Sequence, residues 1–254
     1  MALDIHSTPS RVAARLDDLP VPKRIALVAL ATDHTSERDF ARICDPDRVG
    51  VYVNRIEFEN PTTRETLLQT GPRLTEAAAQ ILPGEAVDVV AYGCTAASIV
   101  LGNDAVAGHL NAAKPGAPCV TPSSAAFDAF EALGARRVSL LTPYSPEVTD
   151  EMAQYFAAHG PEVVSAACFG LTDDRRMARI SEDSIIEAGI AACDAGADAL
   201  FLSCTALRAA VCVQRIEDRL GKPVVSSNQA MVWRCLRLAG ITDAVPGYGR
   251  LFEL

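Results

Sequence analysis

Two of the eight cysteines in this chain stand in nearly the same surroundings. Cys94 closes the run VDVVAYGC and precedes Thr95-Ala96; Cys204 closes ADALFLSC and precedes Thr205-Ala206. A free thiol titrates near 8.5, roughly, so thiol and thiolate are both accessible forms close to neutral pH. One thiolate can take a proton from one face of a carbon while the opposite thiol returns a proton to the other face. That is racemisation or epimerisation by general acid–base catalysis, with no cofactor. Alternatively, one thiolate adds to an activated double bond while the other thiol supplies a proton. Rotation and elimination then interconvert cis and trans isomers. The plain alternative is that each cysteine is a small buried hydrophobe; the duplicated Cys-Thr-Ala context weighs against it. A helix starting after each cysteine would favour the thiolate through its free N–H groups and dipole. Thr95 and Thr205 are the expected caps, aiming those N–H groups at a substrate.

The elements that must position the thiols are readable as alternating apolar runs and amphipathic stretches. RIALVALA from Arg24, VDVVAYG from Val87, RRVSLLTP from Arg136, EVVSAACF from Glu162, ADALFLS from Ala197 and KPVVSS from Lys222 read as short buried strands. Between them, RETLLQTGPRLTEAAAQIL, AAFDAFEAL, DEMAQYFAAH, SIIEAGIAACDAG and QAMVWRCLRLAG read as helices. This rhythm predicts an α/β protein built on parallel sheets. The chain also repeats itself: KRIALVALATDHTSE aligns with RRVSLLTPYSPEV, VDVVAYGCTA with ADALFLSCTA, and APCVTPSSAAFDAFEALG with KPVVSSNQAMVWRCLRLAG. The expected fold is therefore two pseudo-symmetric lobes, each a mostly parallel sheet flanked by helices. The last helix is expected to return to the first lobe, giving residues 1–120 plus 225–254 as the N-terminal lobe and 121–224 as the C-terminal lobe. Ligands of open parallel sheets bind beyond the carboxyl ends of the strands. Both cysteines sit at such ends, so they are expected to face each other across an inter-lobe cleft.

Composition narrows the rest. The chain has 254 residues and a formal net charge of −9, with no basic run longer than an arginine pair, so a nucleic-acid partner is not expected. No apolar stretch approaches the roughly 20 residues that span a bilayer. The segment MALDIHSTPSRVAARLDDLP lacks an apolar signal-peptide core. A cytoplasmic protein with no membrane partner is expected. The cysteines show no CxxC pair, and neither Cys94 nor Cys204 has a nearby His or second Cys; neither disulfides nor a metal site is expected.

YGCTAAS, LSCTAL and TPYSPE, set in two lobes, resemble the aspartate/glutamate racemase superfamily, and within it the maleate isomerase and arylmalonate decarboxylase branch. The resemblance runs from about Lys23 to VPGYGRLF; the ATDHTSE opening and GYGRLF ending look most like the ectoine-utilisation EutA-type proteins. The resemblance implies that Cys94 acts as nucleophile and Cys204 as acid, as in the isomerases. The decarboxylases keep only the second cysteine, so simple decarboxylation is disfavoured. It further implies that Tyr144 faces the substrate, with donors from Thr95, Ser123, Ser124 and Thr205. Ser123 and Ser124 read equally well as helix caps ahead of AAFDAFEAL.

Two departures bear on substrate. Asp33 in ATDHT and Asp174 in LTDDRRMAR stand where the maleate-active relatives carry asparagines. An ionised aspartate only accepts hydrogen bonds; two of them would repel a dicarboxylate and suit an ammonium or amidinium group. Arg176 and Arg179 could still hold one carboxylate, while His34 reads as a solvated turn residue. The alternative is that both aspartates are turn or cap residues pointing away. The expected function is a cofactor-independent racemase or epimerase of a small cationic or zwitterionic amino-acid derivative, with ectoine or hydroxyectoine catabolism implied by the resemblance. Maleate-type cis–trans isomerisation is the alternative, and a non-catalytic two-lobe ligand-binding protein is a third. A homo-oligomer acting on a small molecule is expected.

Overall fold

The computed structural model describes residues 7–254. Residues 1–6, the start of the segment read above as lacking a signal-peptide core and as part of the first lobe, lie outside the described residues. In chain order the elements are β1 (Lys23–Leu30), α1 (Ser36–Ile43), β2 (Val49–Ile56), α2 (Arg64–Leu68), α3 (Leu74–Ala79), β3 (Val89–Gly93), α4 (Thr95–Leu101), α5 (Asn103–Ala113) and β4 (Cys119–Val120). They continue with α6 (Pro122–Leu133), β5 (Arg137–Thr142), α7 (Pro146–His159), β6 (Glu162–Cys168), α8 (Asp174–Met177), α9 (Glu182–Ala192), β7 (Ala199–Leu202), α10 (Val213–Leu220), β8 (Val224–Ser226) and α11 (Ser227–Leu238).

The strands form two four-stranded sheets, ordered β2-β1-β3-β4 and β6-β5-β7-β8. Every pairing is parallel. The two-lobe fold is thus as expected, and the second sheet repeats the order of the first. The central strands β1, β3, β5 and β7 carry the most apolar runs, broken in β5 only by the buried Ser139, because helices cover both faces. Strand β2, VGVYVNRI, is a half-buried edge. Its Gly, Asn and Arg interrupt the apolar pattern, which is why no strand is predicted there. Likewise β4 is only two residues long.

RETLLQTGPRLTEAAAQIL reads as one helix but folds as two. Pro72 lacks an N–H to continue α2, and the chain makes a 3-10 turn at Gly71–Arg73 before α3 begins. Gly71 also leaves room for close packing: a Cβ there would lie 2.9 Å from the end of the Leu101 side chain, which would have to shift.

The helix that follows each sheet packs against the other lobe. In α6, Phe130 meets Phe156 of α7 and Phe201 of β7 edge-on. In turn α11 packs on α1, β3 and β4, and the two helices pack on each other. Strand β8 runs to Ser226, where it pairs with Leu202, so the second sheet reaches past residue 224. No helix among the described residues is long and apolar enough to cross a membrane.

Candidate active site

Both cysteines leave the carboxyl end of the third strand of their sheets, β3 and β7. Cys94 is itself the N-cap of α4: its backbone is extended, and its Sγ accepts the Ala97 N–H at 3.4 Å. Thr95 is therefore not the cap. It already lies inside the helix, and its hydroxyl donates to Ser227 Oγ at 2.9 Å. The second site differs from expectation. No helix starts directly after Cys204; the chain turns, and α10 begins only at Val213. The Cys204 Sγ accepts the Ala206 N–H at 3.3 Å, while Thr205 caps nothing and donates to the Gly93 carbonyl at 3.1 Å.

These bonds stitch the two strand ends together. Ser227 Oγ, which accepts from Thr95, also accepts the Cys204 N–H at 3.0 Å. Asn228 donates to the Thr205 carbonyl at 2.9 Å and to Asp39 Oδ2 at 2.8 Å. The Thr35 hydroxyl donates to the Ala206 carbonyl at 2.9 Å.

Four of the expected groups share one place. Tyr144 is buried and lies within electrostatic reach of both the Cys204 and the Cys94 thiols. The Asp174 carboxylate acts on Cys94, Cys204 and Tyr144 alike, and the thiols act on each other. Tyr92 joins them from β3: its hydroxyl donates to Thr70 Oγ1 at 3.0 Å and lies within electrostatic reach of Cys94. The clue to Tyr92 is its polar tip in an otherwise apolar strand, since a buried tyrosine hydroxyl needs a partner. Ser227 and Asn228 are not among the residues expected from the sequence; they occupy the repeat of the Pro122-Ser123 segment, and that alignment is the signal that marks them.

The thiols are enclosed rather than lining an open cleft: Cys94 is 5% exposed and Cys204 3%. Burial pushes the Cys204 thiol up to about 12, with Asp174 adding to it and the Tyr144 hydroxyl and nearby amides opposing. Burial raises Cys94 as well, reinforced by Asp174, Cys204 and Asp33. The Ala97 amide at the start of α4 opposes that rise without overcoming it. The expected thiolate stabilisation is therefore outweighed, and both side chains are neutral thiols in this enclosed arrangement.

The two aspartates separate. Asp33 is a turn residue: Oδ1 accepts the N–H groups of Thr35 and Ser36, at 2.6 and 2.9 Å, and Oδ2 accepts the Ser36 hydroxyl at 2.5 Å. Both of its oxygens are engaged in starting α1, although its charge still reaches Cys94. Asp174 is buried, with one oxygen accepting the Thr32 hydroxyl at 2.6 Å and its N–H donating to Asn60 Oδ1 at 3.2 Å. Burial, then the charge of Asp33, pushes it up to about 6. Its loop follows β6, and Asp173 caps the short α8 there.

Arg176, Arg179 and His34 are exposed. Ser124 completes a capping box with Thr121 at the start of α6. Ser123 bonds Ser98, at 2.8 Å, and Asn103, at 2.8 Å. Both serines thus take up the capping and helix-joining roles rather than a bond to either thiol.

Asp39 adds a pH dependence. Burial pushes its carboxyl up to about 7, against the Asn228 hydrogen bond and Arg42, with Asp33 adding to the rise. A carboxyl raised on folding contributes stability that is complete below its unfolded value of 3.8 and lost as pH rises through about 7. Relative to the wild-type chain, the melting temperature of Asp39→Asn should therefore rise by about 5 °C between acidic and neutral pH. Thermal melts of both proteins across that range check it; a constant difference would refute it.

The sequence pattern of the arylmalonate decarboxylase family (Amdase) matches residues 71–252. Arylmalonate decarboxylase of Bordetella bronchiseptica is 38% identical over 141 residues, which span 54% of this chain and 59% of that protein. The aligned part is thus less than two thirds of that relative's length. Maleate isomerase of Geobacillus stearothermophilus is 29% identical over 174 residues, 65% of this chain and 69% of that one. A crystal structure of an arylmalonate decarboxylase variant with one glycine changed to cysteine and one cysteine to serine, in its liganded form, superposes with a TM-score of 0.77. It is 28% identical, over 91% of this chain and 99% of that one. The matched segment contains both strand-end thiols, Tyr144 and Asp174, and on that match this chain belongs to the arylmalonate decarboxylase family.

Proposed function

We propose that this chain is a cofactor-independent isomerase in which Cys94 and Cys204 act on opposite faces of a carbon next to a carboxyl or amidine group. The observation that carries the reading is the convergence of both thiols with Tyr144 and Asp174 between two lobes stitched at their strand ends. One thiolate takes the proton, leaving the electron pair delocalised into the adjacent carboxyl or amidine. The other thiol returns a proton to the opposite face and ends as the thiolate. Two thiols are one more than simple decarboxylation needs, since that reaction requires a single proton donor for its carbanion.

The substrate class follows from charge. Asp174 has an oxygen free of the Thr32 bond and is ionised above about 6. It suits an ammonium or amidinium group, so the proposed substrate is a small cationic or zwitterionic amino-acid derivative. Such a cation would also offset the Asp174 charge that opposes thiolate formation. The likeness to EutA-type proteins adds ectoine or hydroxyectoine catabolism as the setting, in a cytoplasmic homo-oligomer. The second reading, maleate-type cis–trans isomerisation, is favoured by the maleate isomerase relative. It would use Cys94 to add to the double bond, with Asp174 protonated.

Incubation with candidate amino acids in deuterated water tests the proposal. One deuterium at the carbon next to the carboxyl, with loss of optical activity, is the expected result. Conversion of maleate to fumarate without such exchange would replace it with the second reading. Unaltered binding of a ligand with no turnover would leave a binding protein.

A further inference from the structure

Among the described residues only Leu82 and Cys204 are non-glycine residues with positive φ, and Cys204 stands at φ +151°. A side chain is disfavoured there, and such a residue persists only when its surroundings over-determine it. The surroundings of Cys204 do so from several sides. Its N–H is held by Ser227 Oγ, and its Sγ takes the Ala206 N–H. The next carbonyl, of Thr205, accepts from Asn228, and the one after it, of Ala206, accepts from Thr35.

Asn228 is the pivot. Its amide nitrogen serves the Thr205 carbonyl and Asp39 Oδ2, while its Oδ1 receives the Ser36 hydroxyl at 3.3 Å. Asp39 therefore fixes which end of the amide faces the Cys204 loop. Asp39, Thr35 and Ser36 all lie at or near the start of α1, on the first lobe, whereas Cys204 follows β7 of the second. The helix of one lobe thus holds the thiol of the other.

We propose that Asp39 and Asn228 are positioning residues that lock the Cys204 backbone in its strained conformation and so aim its thiol beside Tyr144. The effect on turnover rests on the proposed role of Cys204; the backbone lock does not.

The lock is tested without any substrate. Glycine tolerates positive φ where alanine does not. In the otherwise wild-type chain, Cys204→Gly should melt about 2–4 °C above Cys204→Ala. With Asn228→Ala added to both, the loop is free to relax, and the gap should fall below about 1 °C. Should Asn228→Ala fail to fold, Thr35→Val, which removes only the hydroxyl on the Ala206 carbonyl, takes its place and should narrow the gap. A Gly variant melting below the Ala variant, or an equal gap in both backgrounds, would overturn the lock.

Turnover then tests the aim. Asp39→Leu should lower kcat about 10- to 100-fold with KM little changed, and Asp39→Asn, which keeps an acceptor for Asn228, should recover most of it. Loss of melting temperature with kcat intact would reduce the network to a contact between lobes and overturn the positioning role. If the wild-type chain turns over none of the candidate substrates, the proposed function fails while the melting comparison still decides the lock.

Discussion

Cys94→Ala and Cys204→Ala are each expected to lower racemisation by about 10³-fold or more, since each removes a proton-transfer group that the other cannot replace. The reason is geometric. The thiols come from separate sheets and converge on one enclosed place, so in the proposed reaction each would serve its own side of the substrate. Inverting a carbon needs both sides, whereas exchanging its proton needs one. Each single variant should therefore retain deuterium exchange with one enantiomer and lose it with the other, and the retained enantiomer should be opposite in the two variants. Chiral chromatography with mass spectrometry reads both quantities. Near-normal racemisation by either variant would show that another base does the work. A binding protein would give a different result again, with ligand affinity intact in both variants and no exchange in any of them.

Asp174→Asn is expected to shift the preference for cationic over anionic ligands by about 100-fold toward anions. A carboxylate about 4 Å from a unit charge at an effective dielectric near 20 interacts by roughly 4 kcal/mol, and desolvation takes back part of that. The substitution removes an acceptor-only charge and supplies an amide that can donate to a carboxylate. It should also lower the pKa of both thiols, because Asp174 raises each of them. The pH dependence gives the sign independently. With the carboxyl pushed up to about 6, the wild-type protein should bind cations better as pH rises through that value, and dicarboxylates better as it falls. Asp174→Asn should lose that inflection. Calorimetric titration with matched cationic and anionic ligands on either side of pH 6 is the measurement. An unchanged charge preference would take Asp174 out of ligand selection. Asp33→Asn should disturb the start of α1 more than ligand choice, because the Asp33 oxygens already serve Thr35 and Ser36.

How legible the molecule was in its sequence depended on how local each feature is. The strands at Arg24, Val87, Arg136 and Ala197 were visible because burial on both faces demands mostly apolar runs. Strand β2 was not, because an edge strand with one half-open face tolerates Gly50, Asn54 and Arg55. Tyr144 was visible through the PY resemblance, whereas Tyr92 was hidden inside a run that read as core.

By itself the sequence determined the duplicated architecture and the pair of thiols at equivalent strand ends, since a repeat and a periodic apolar pattern are properties of the chain alone. Only the tertiary structure decided what those thiols are. Burial sets their protonation, and burial is a sum over every element packed around them. Likewise, Asp33 and Asp174 are the same residue type in similar loops. One caps a turn within two or three residues of itself, and the other is carried by the second lobe to a place where its charge reaches both sulfurs. The strained backbone of Cys204 belongs to the same class, because the groups that hold it come from helices far apart in the chain.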